Sequence, residues 1–141
     1  MFEMYTGRVL FDGRNNNEVL MQMMEVRGGF SKRVLKKCVS SIRKKHFDED
    51  GMFLQRELAE RGESVRSVPP PTVPRKQLGE LLCSPKVWAK MPAETRGGVT
   101  LLRFVLEQAL VLDPSKRATP LQALQLFKER SGGGGGERGG K

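Results

Sequence analysis

The chain has 141 residues, 38% of them hydrophobic, and a formal net charge of +9 at pH 7. That allows one small globular domain with little apolar surplus. No apolar run is long enough to span a bilayer, and the first residues lack the basic-then-apolar pattern of a secretion signal. Cys38 and Cys83 with a single histidine exclude a four-ligand Cys/His zinc site, and both thiols are expected to be free in an intracellular compartment.

In chain order, Met1 to Thr6 forms a helical stub ended by Gly7. Asn15, Asn16 and Asn17 supply a cap for a helix running to about Val26, with Leu20, Met23 and Met24 on one face. Arg27-Gly28-Gly29 ends it, because glycine tolerates the left-handed conformation found after helix C-termini.

From Ser31 to Lys45 the chain carries Lys32, Arg33, Lys36, Lys37, Arg43, Lys44 and Lys45 with no acidic residue between them. Val34, Leu35 and Val39 interleave, which predicts a short helix with a basic face. Such a run is either a solvated surface or a patch for polyanions or nuclear import. Three Arg-Gly-Gly triplets, at Arg27, Arg96 and Arg138, are too few and scattered for an RNA-binding tail. The tail also lacks aromatic groups for stacking on bases.

The stretch from His46 to Glu57 partly matches a calcium-binding loop, with Gly51 at the glycine position and Glu57 at the bidentate one. His46 would then be the first ligand and Leu54 would replace an oxygen donor, so calcium binding is rejected. A short extended pair is predicted around Met52 to Leu58. Ser64 to Pro74, with Val68-Pro69-Pro70-Pro71, reads as irregular or polyproline. Gln77 to Leu82 reads as a short helix, and Trp88 as a packing anchor.

Leu102, Val105, Leu106, Ala109 and Leu110 fall at helical spacing, and Asp113-Pro114 stops that helix. Thr119 opens another as N-cap, with Pro120 in the first turn and Gln122 completing a capping box. Ser131 to Lys141 is glycine-rich without apolar residues and is expected to be disordered.

Leu112-Asp113-Pro114-x-x-Arg117-x-Thr119, followed by Ala123-Leu124, resembles the last conserved segment of eukaryotic protein kinases. Glu3-Met4-Tyr5-Thr6-Gly7-Arg8-x-Leu10-Phe11-x-Gly13 resembles the end of that family's helix F and the loop toward helix G. The long segment between the two blocks resembles the insert of the CMGC group. Tyr5-Thr6-Gly7, Asn16-Asn17, Lys36-Lys37 and His46-Phe47-Asp48 are most similar to the Prp-four pre-mRNA-processing kinases.

The resemblance implies a mainly α fold: a partial kinase C-lobe over residues 1–130, with the end of helix F, helices G, H and I, and an insert over about 30–95. Residues 131–141 would form the disordered tail. Asp113, Pro114 and Arg117 would be structural, with Arg117 pairing the glutamate that ends the activation segment.

The glycine-rich loop, strand lysine, HRD and DFG motifs that hold ATP and magnesium are absent. Phe11-Asp12-Gly13 belongs to the loop after helix F, and Met91-Pro92-Ala93-Glu94 lies too late to be the Ala-Pro-Glu block. No catalytic, cofactor or metal residue is therefore expected here, and ATP with magnesium only in the whole kinase. The implied partners are the rest of the kinase domain, protein substrates or spliceosomal proteins, in the nucleus and away from membranes. A second reading is a non-catalytic basic module that binds RNA, weakly, or an acidic protein.

Overall fold

A computed structural model describes residues 1–59 and 62–132. The chain is mainly helical: α1 (Phe2–Thr6), α2 (Asn16–Arg27), α3 (Lys32–Lys37), α4 (Ser40–His46), α5 (Leu78–Leu82), α6 (Pro85–Lys90), α7 (Ala93–Ala109) and α8 (Pro120–Gly132). Two strands, β1 (Phe53–Ala59) and β2 (Gly62–Val68), pair antiparallel, with Phe53 opposite Val68. The chain divides into two compact units. Gly7–Gln77 forms one, and Met1–Thr6 with the described residues from Leu78 onward forms the other.

The Gly7–Gln77 unit is built around α2. Asn15 caps this helix, its side chain accepting from the backbone N–H groups of Asn17 and Glu18. Gly28 ends it at φ 80°, and its N–H donates to Met24 O at 2.8 Å. Before the helix, the Asp12–Gly13 loop is tied down by one side chain. Gln22 accepts from Gly13 N–H at 3.2 Å and donates to Asp12 Oδ1 at 2.7 Å. A β-carbon at Gly13 would sit 2.6 Å from Val19 N, so only glycine fits where the loop meets the helix.

The core of this unit is Met24, Leu35, Phe47 and Phe53, with Leu20, Met21 and Phe30 packed against it. Phe47 meets Phe30 and Phe53 edge-on, with ring centroids 5.9 and 5.5 Å away, an arrangement favoured by the ring quadrupoles. The proline stretch returns along the end of α2. Gly29 N–H donates to Pro71 O at 2.7 Å, and the N–H groups of Arg75 and Lys76 both reach Glu25 O.

In the other unit α5 packs on α1 and α7, and α7 on α8. Phe2, Leu78, Leu82, Val99, Val105 and Leu106 are buried. Arg96 of α7 donates to Met91 O and Ala89 O, satisfying carbonyls at the end of α6. The guanidinium of Arg130 lies 3.7 Å from the centroid of the Phe104 ring, fixing α8 to α7 by a cation–π contact. The capping box of α8 is present in both directions. Thr119 N–H donates to Gln122 Oε1 at 2.9 Å and Gln122 N–H to Thr119 Oγ1 at 3.3 Å.

Several expectations need correction. The basic run forms two short helices in place of one, broken at Cys38 and Val39, and Val39 is 64% exposed. Ser64 to Val68 is strand β2; the irregular stretch starts only at the prolines. Trp88 lies on α6 and is 37% exposed. The helix before Asp113 already ends at Ala109, three residues ahead of the site where proline would stop it. Ser131 and Gly132, placed in the tail by sequence, complete α8, and the remaining tail lies outside the described residues.

Candidate docking and structural sites

The basic residues of the Ser31–Lys45 run sit on α3 and α4. Lys32 and Arg33 open α3, whereas Lys36 and Lys37 fall in its last turn and Arg43, Lys44 and Lys45 in the last turn of α4. There they face the partial negative charge of the terminal carbonyls. Lys32, Arg33, Lys36, Lys37, Lys44 and Lys45 are exposed, and Arg43 is half-buried. α3 is anchored by Val34 and Leu35, both buried, and capped by Ser31 through Val34 N–H, whereas α4 buries none of its residues. The sequence thus places its cations along the surface of two short helices in one unit.

Behind that surface lies a polar node that the sequence did not reveal. Asn17, 4% exposed on α2, reaches α4 and β1 with one amide. Its Nδ2 donates to Leu54 O at 2.8 Å, and its Oδ1 accepts from Arg56 N–H at 2.9 Å. Leu54 and Arg56 face the same edge of β1, the one not paired with β2, because alternate residues of a strand bond in opposite directions. Further along that edge Asp48 N–H donates to Met52 O at 3.0 Å. The Asn17 amide therefore stands in for a neighbouring strand and closes an edge otherwise open to pairing.

The second Nδ2 hydrogen of Asn17 points at His46 Nδ1, 3.1 Å away. The two backbone partners fix which end of the amide is the donor, so Nδ1 must accept and the imidazole carries its proton on Nε2. Burial first, then the charges of Arg56 and Lys45, hold the His46 pKa below its ordinary 6.5. Arg56 is in turn paired with Glu63 at 3.3 Å, and its Nε donates to Lys45 O at 3.2 Å.

The sign of the pH effect follows. The unfolded chain takes up the proton first, so stability is full above about pH 6.5 and falls as pH drops toward the lower folded value. Thermal melts at pH 7.5 and 5.5 are expected to show a larger drop for the parent than for His46→Gln. Equal drops would remove His46 from the account, and no second histidine exists to blur the comparison.

Asp113, Pro114 and Arg117 lie in the other unit, in the turn between α7 and α8. The Asp113 carboxylate accepts from Ser115 N–H at 3.0 Å and Ser115 Oγ at 2.7 Å, and its carbonyl accepts from the N–H groups of Lys116 and Arg117. Arg117 Nε donates to Val111 O at 2.9 Å, and Ala118 N–H reaches back to Gln108 O. The turn is thus self-supporting and presents an exposed guanidinium at a fixed place. Among the described residues no carboxylate lies within ion-pair distance of Arg117.

Among the described residues there is no cluster of His, Cys, Asp or Glu able to hold a metal, and no helix is long and apolar enough to cross a membrane. Both cysteines are free.

No protein-family model matches the chain. Serine/threonine-protein kinase prpf4B of Dictyostelium discoideum is 37% identical over 123 residues, 86% of this chain. Serine/threonine-protein kinase prp4 of Schizosaccharomyces pombe is 35% identical over 130 residues, 89% of this chain. The chain matches a fragment of the Prp4-type serine/threonine protein kinases. It spans 15% and 25% of the lengths of those two relatives, so it corresponds to a piece of such a kinase. Both surfaces described above fall in this Prp4-type piece.

Proposed function

We propose that this chain is the distal C-lobe part of a Prp4-type kinase, α1 being the end of helix F and α2, α7 and α8 helices G, H and I. The whole enzyme would transfer the γ-phosphoryl group of ATP, with magnesium, to serine or threonine hydroxyls of protein substrates. By resemblance those substrates belong to nuclear pre-mRNA processing. This part supplies bracing and substrate-side surface and leaves nucleotide binding to the rest of the domain. The supporting observation is identity of 35–37% across 86–89% of the chain. The self-supporting turn that presents Arg117 agrees with it, since the family's arginine pairs with a glutamate elsewhere in the domain.

A chimera tests the reading. This chain, replacing the matched segment of the fission yeast relative, is expected to preserve phosphorylation of a protein substrate. A folded chimera without activity would overturn it. The chain alone is expected to show no saturable Mg-ATP binding by calorimetry, since it lacks the loop, lysine and metal ligands that position the phosphates. Micromolar binding at one site would contradict that part.

A further inference from the structure

The α3–α4 surface carries two features that neither bracing nor catalysis uses. The first is apolar. Val39, at the joint of the helices, is 64% exposed and Ile42 is 57% exposed. Ile42 forms one wall of a cleft of about 110 Å³, also lined by Leu20, Phe30, Leu35 and Phe47, with Cys38, Arg43 and His46 at its sides. Small-molecule sites run to roughly 300–1,000 Å³, so this cleft suits a single aliphatic side chain and no cofactor.

The second feature is charge. Seven cations and no acid lie between Ser31 and Lys45. Among the described residues no carboxylate lies within ion-pair distance of Lys36, Lys37, Lys44 or Lys45. The exposed apolar residues therefore lie on helices that also carry four lysines without an ion-pair partner among the described residues.

We infer that this surface docks an acidic protein segment, which inserts one aliphatic side chain into the cleft and sets its carboxylates against the surrounding lysines. The charge calls for a polyanion, and the cleft decides which kind. A nucleic acid has phosphates for the lysines but gains from aromatic faces on which bases stack. Here Phe47 is 5% exposed, and the half-buried Phe30 is engaged edge-on by Phe47 as a wall of the cleft, so neither ring stands out from the surface as a stacking platform. An aliphatic cleft does nothing for a phosphate, whereas burying one leucine side chain strengthens peptide binding. The inference stands on the Gly7–Gln77 unit and does not depend on the kinase reading.

Fluorescence anisotropy on the full chain tests it with three probes. They are a labelled glutamate-rich dodecapeptide with one central leucine, the same peptide with serine in its place, and an oligouridylate of equal charge. The leucine peptide is expected to bind about tenfold or more tighter than the serine peptide. Ile42→Ser should erase that preference while leaving a salt-sensitive residue of binding to both peptides. The joint change of Lys36, Lys37, Lys44 and Lys45 to glutamine should weaken both peptides and flatten their salt dependence. Ile42 is largely exposed, so its variant is expected to keep the parent circular dichroism and melting curve. Equal binding of the two peptides, tighter binding of the oligouridylate, or no saturable binding by any probe would each overturn the proposal.

Discussion

Changing Arg117 to alanine is expected to abolish most activity and stability of a whole Prp4-type kinase while leaving this chain by itself almost unaffected. In the isolated chain the side chain makes one hydrogen bond, from Nε to Val111 O, and stands exposed. Losing such a bond costs about 1 kcal/mol. In the whole domain, by the family's pattern, Arg117 meets a buried glutamate. Breaking a buried pair typically costs about 3–5 kcal/mol, because the remaining charge is left uncompensated. Chemical denaturation of Arg117→Ala in the isolated chain and in the chimeric kinase compares the two contexts. A large loss in both, or a small loss in both, would detach Arg117 from the glutamate.

The second large effect is expected at Asn17. Asn17→Leu keeps the size of the side chain but strands Leu54 O and Arg56 N–H on the edge of β1. Each backbone group left without a partner costs roughly 1–3 kcal/mol, so the pair costs roughly 2–4 kcal/mol after partial access of water. The midpoint of thermal unfolding should drop by about 10 °C or more for a unit of this size. Asn17→Asp separates the parts of the node. It keeps the acceptor for Arg56 N–H, loses both donors, and offers His46 a carboxylate. The proton on His46 then becomes favourable, so the acid sensitivity of the parent should weaken or reverse. A melting temperature for Asn17→Leu within error of the parent would show that the edge is held by the sheet alone.

What could be read from sequence divides along lines of distance. The cap at Asn15, the glycine stop at Gly28 and the Thr119–Gln122 box all act within a few residues, and each is present in the structure. Propensity and spacing carry such signals because the bonding partners are neighbours in the chain. Asn17 was read as part of an Asn-rich cap and of the Asn16–Asn17 pair in the family resemblance, and neither reading points to its partners. Its role depends on His46, Leu54 and Arg56, 29, 37 and 39 residues away, and nothing local marks it.

The second strand was hidden differently. Gly62 to Ser67 is exposed throughout, so it lacks the alternation that signals a half-buried strand, and the prolines after Val68 drew attention to the wrong feature. The apolar spacing of Val34, Leu35 and Val39 was read as a short helix, but the chain breaks between α3 and α4 and Val39 at the break faces solvent. The Asp113–Arg117 motif was legible by resemblance, and its hydrogen bonds supply the physical reason those residues occur together. The cations were legible as a charge run, whereas the apolar cleft among them needed the packing of α2 and the Phe30–Phe47 pair.

The α1 helix belongs with α5, though the whole Gly7–Gln77 unit intervenes in the chain. Joining them closes a loop of about 70 residues, and the entropy of closure grows only with the logarithm of length, so halving or doubling the loop changes it by about 0.6 kcal/mol. Loop length is thus a soft variable, and evolution can lengthen or trim the intervening unit at little thermodynamic cost. The kinetic consequence is less forgiving. The β1–β2 hairpin and the α2 cap form from near neighbours, while α1 finds α5 only by a long-range encounter, which places that docking late in folding.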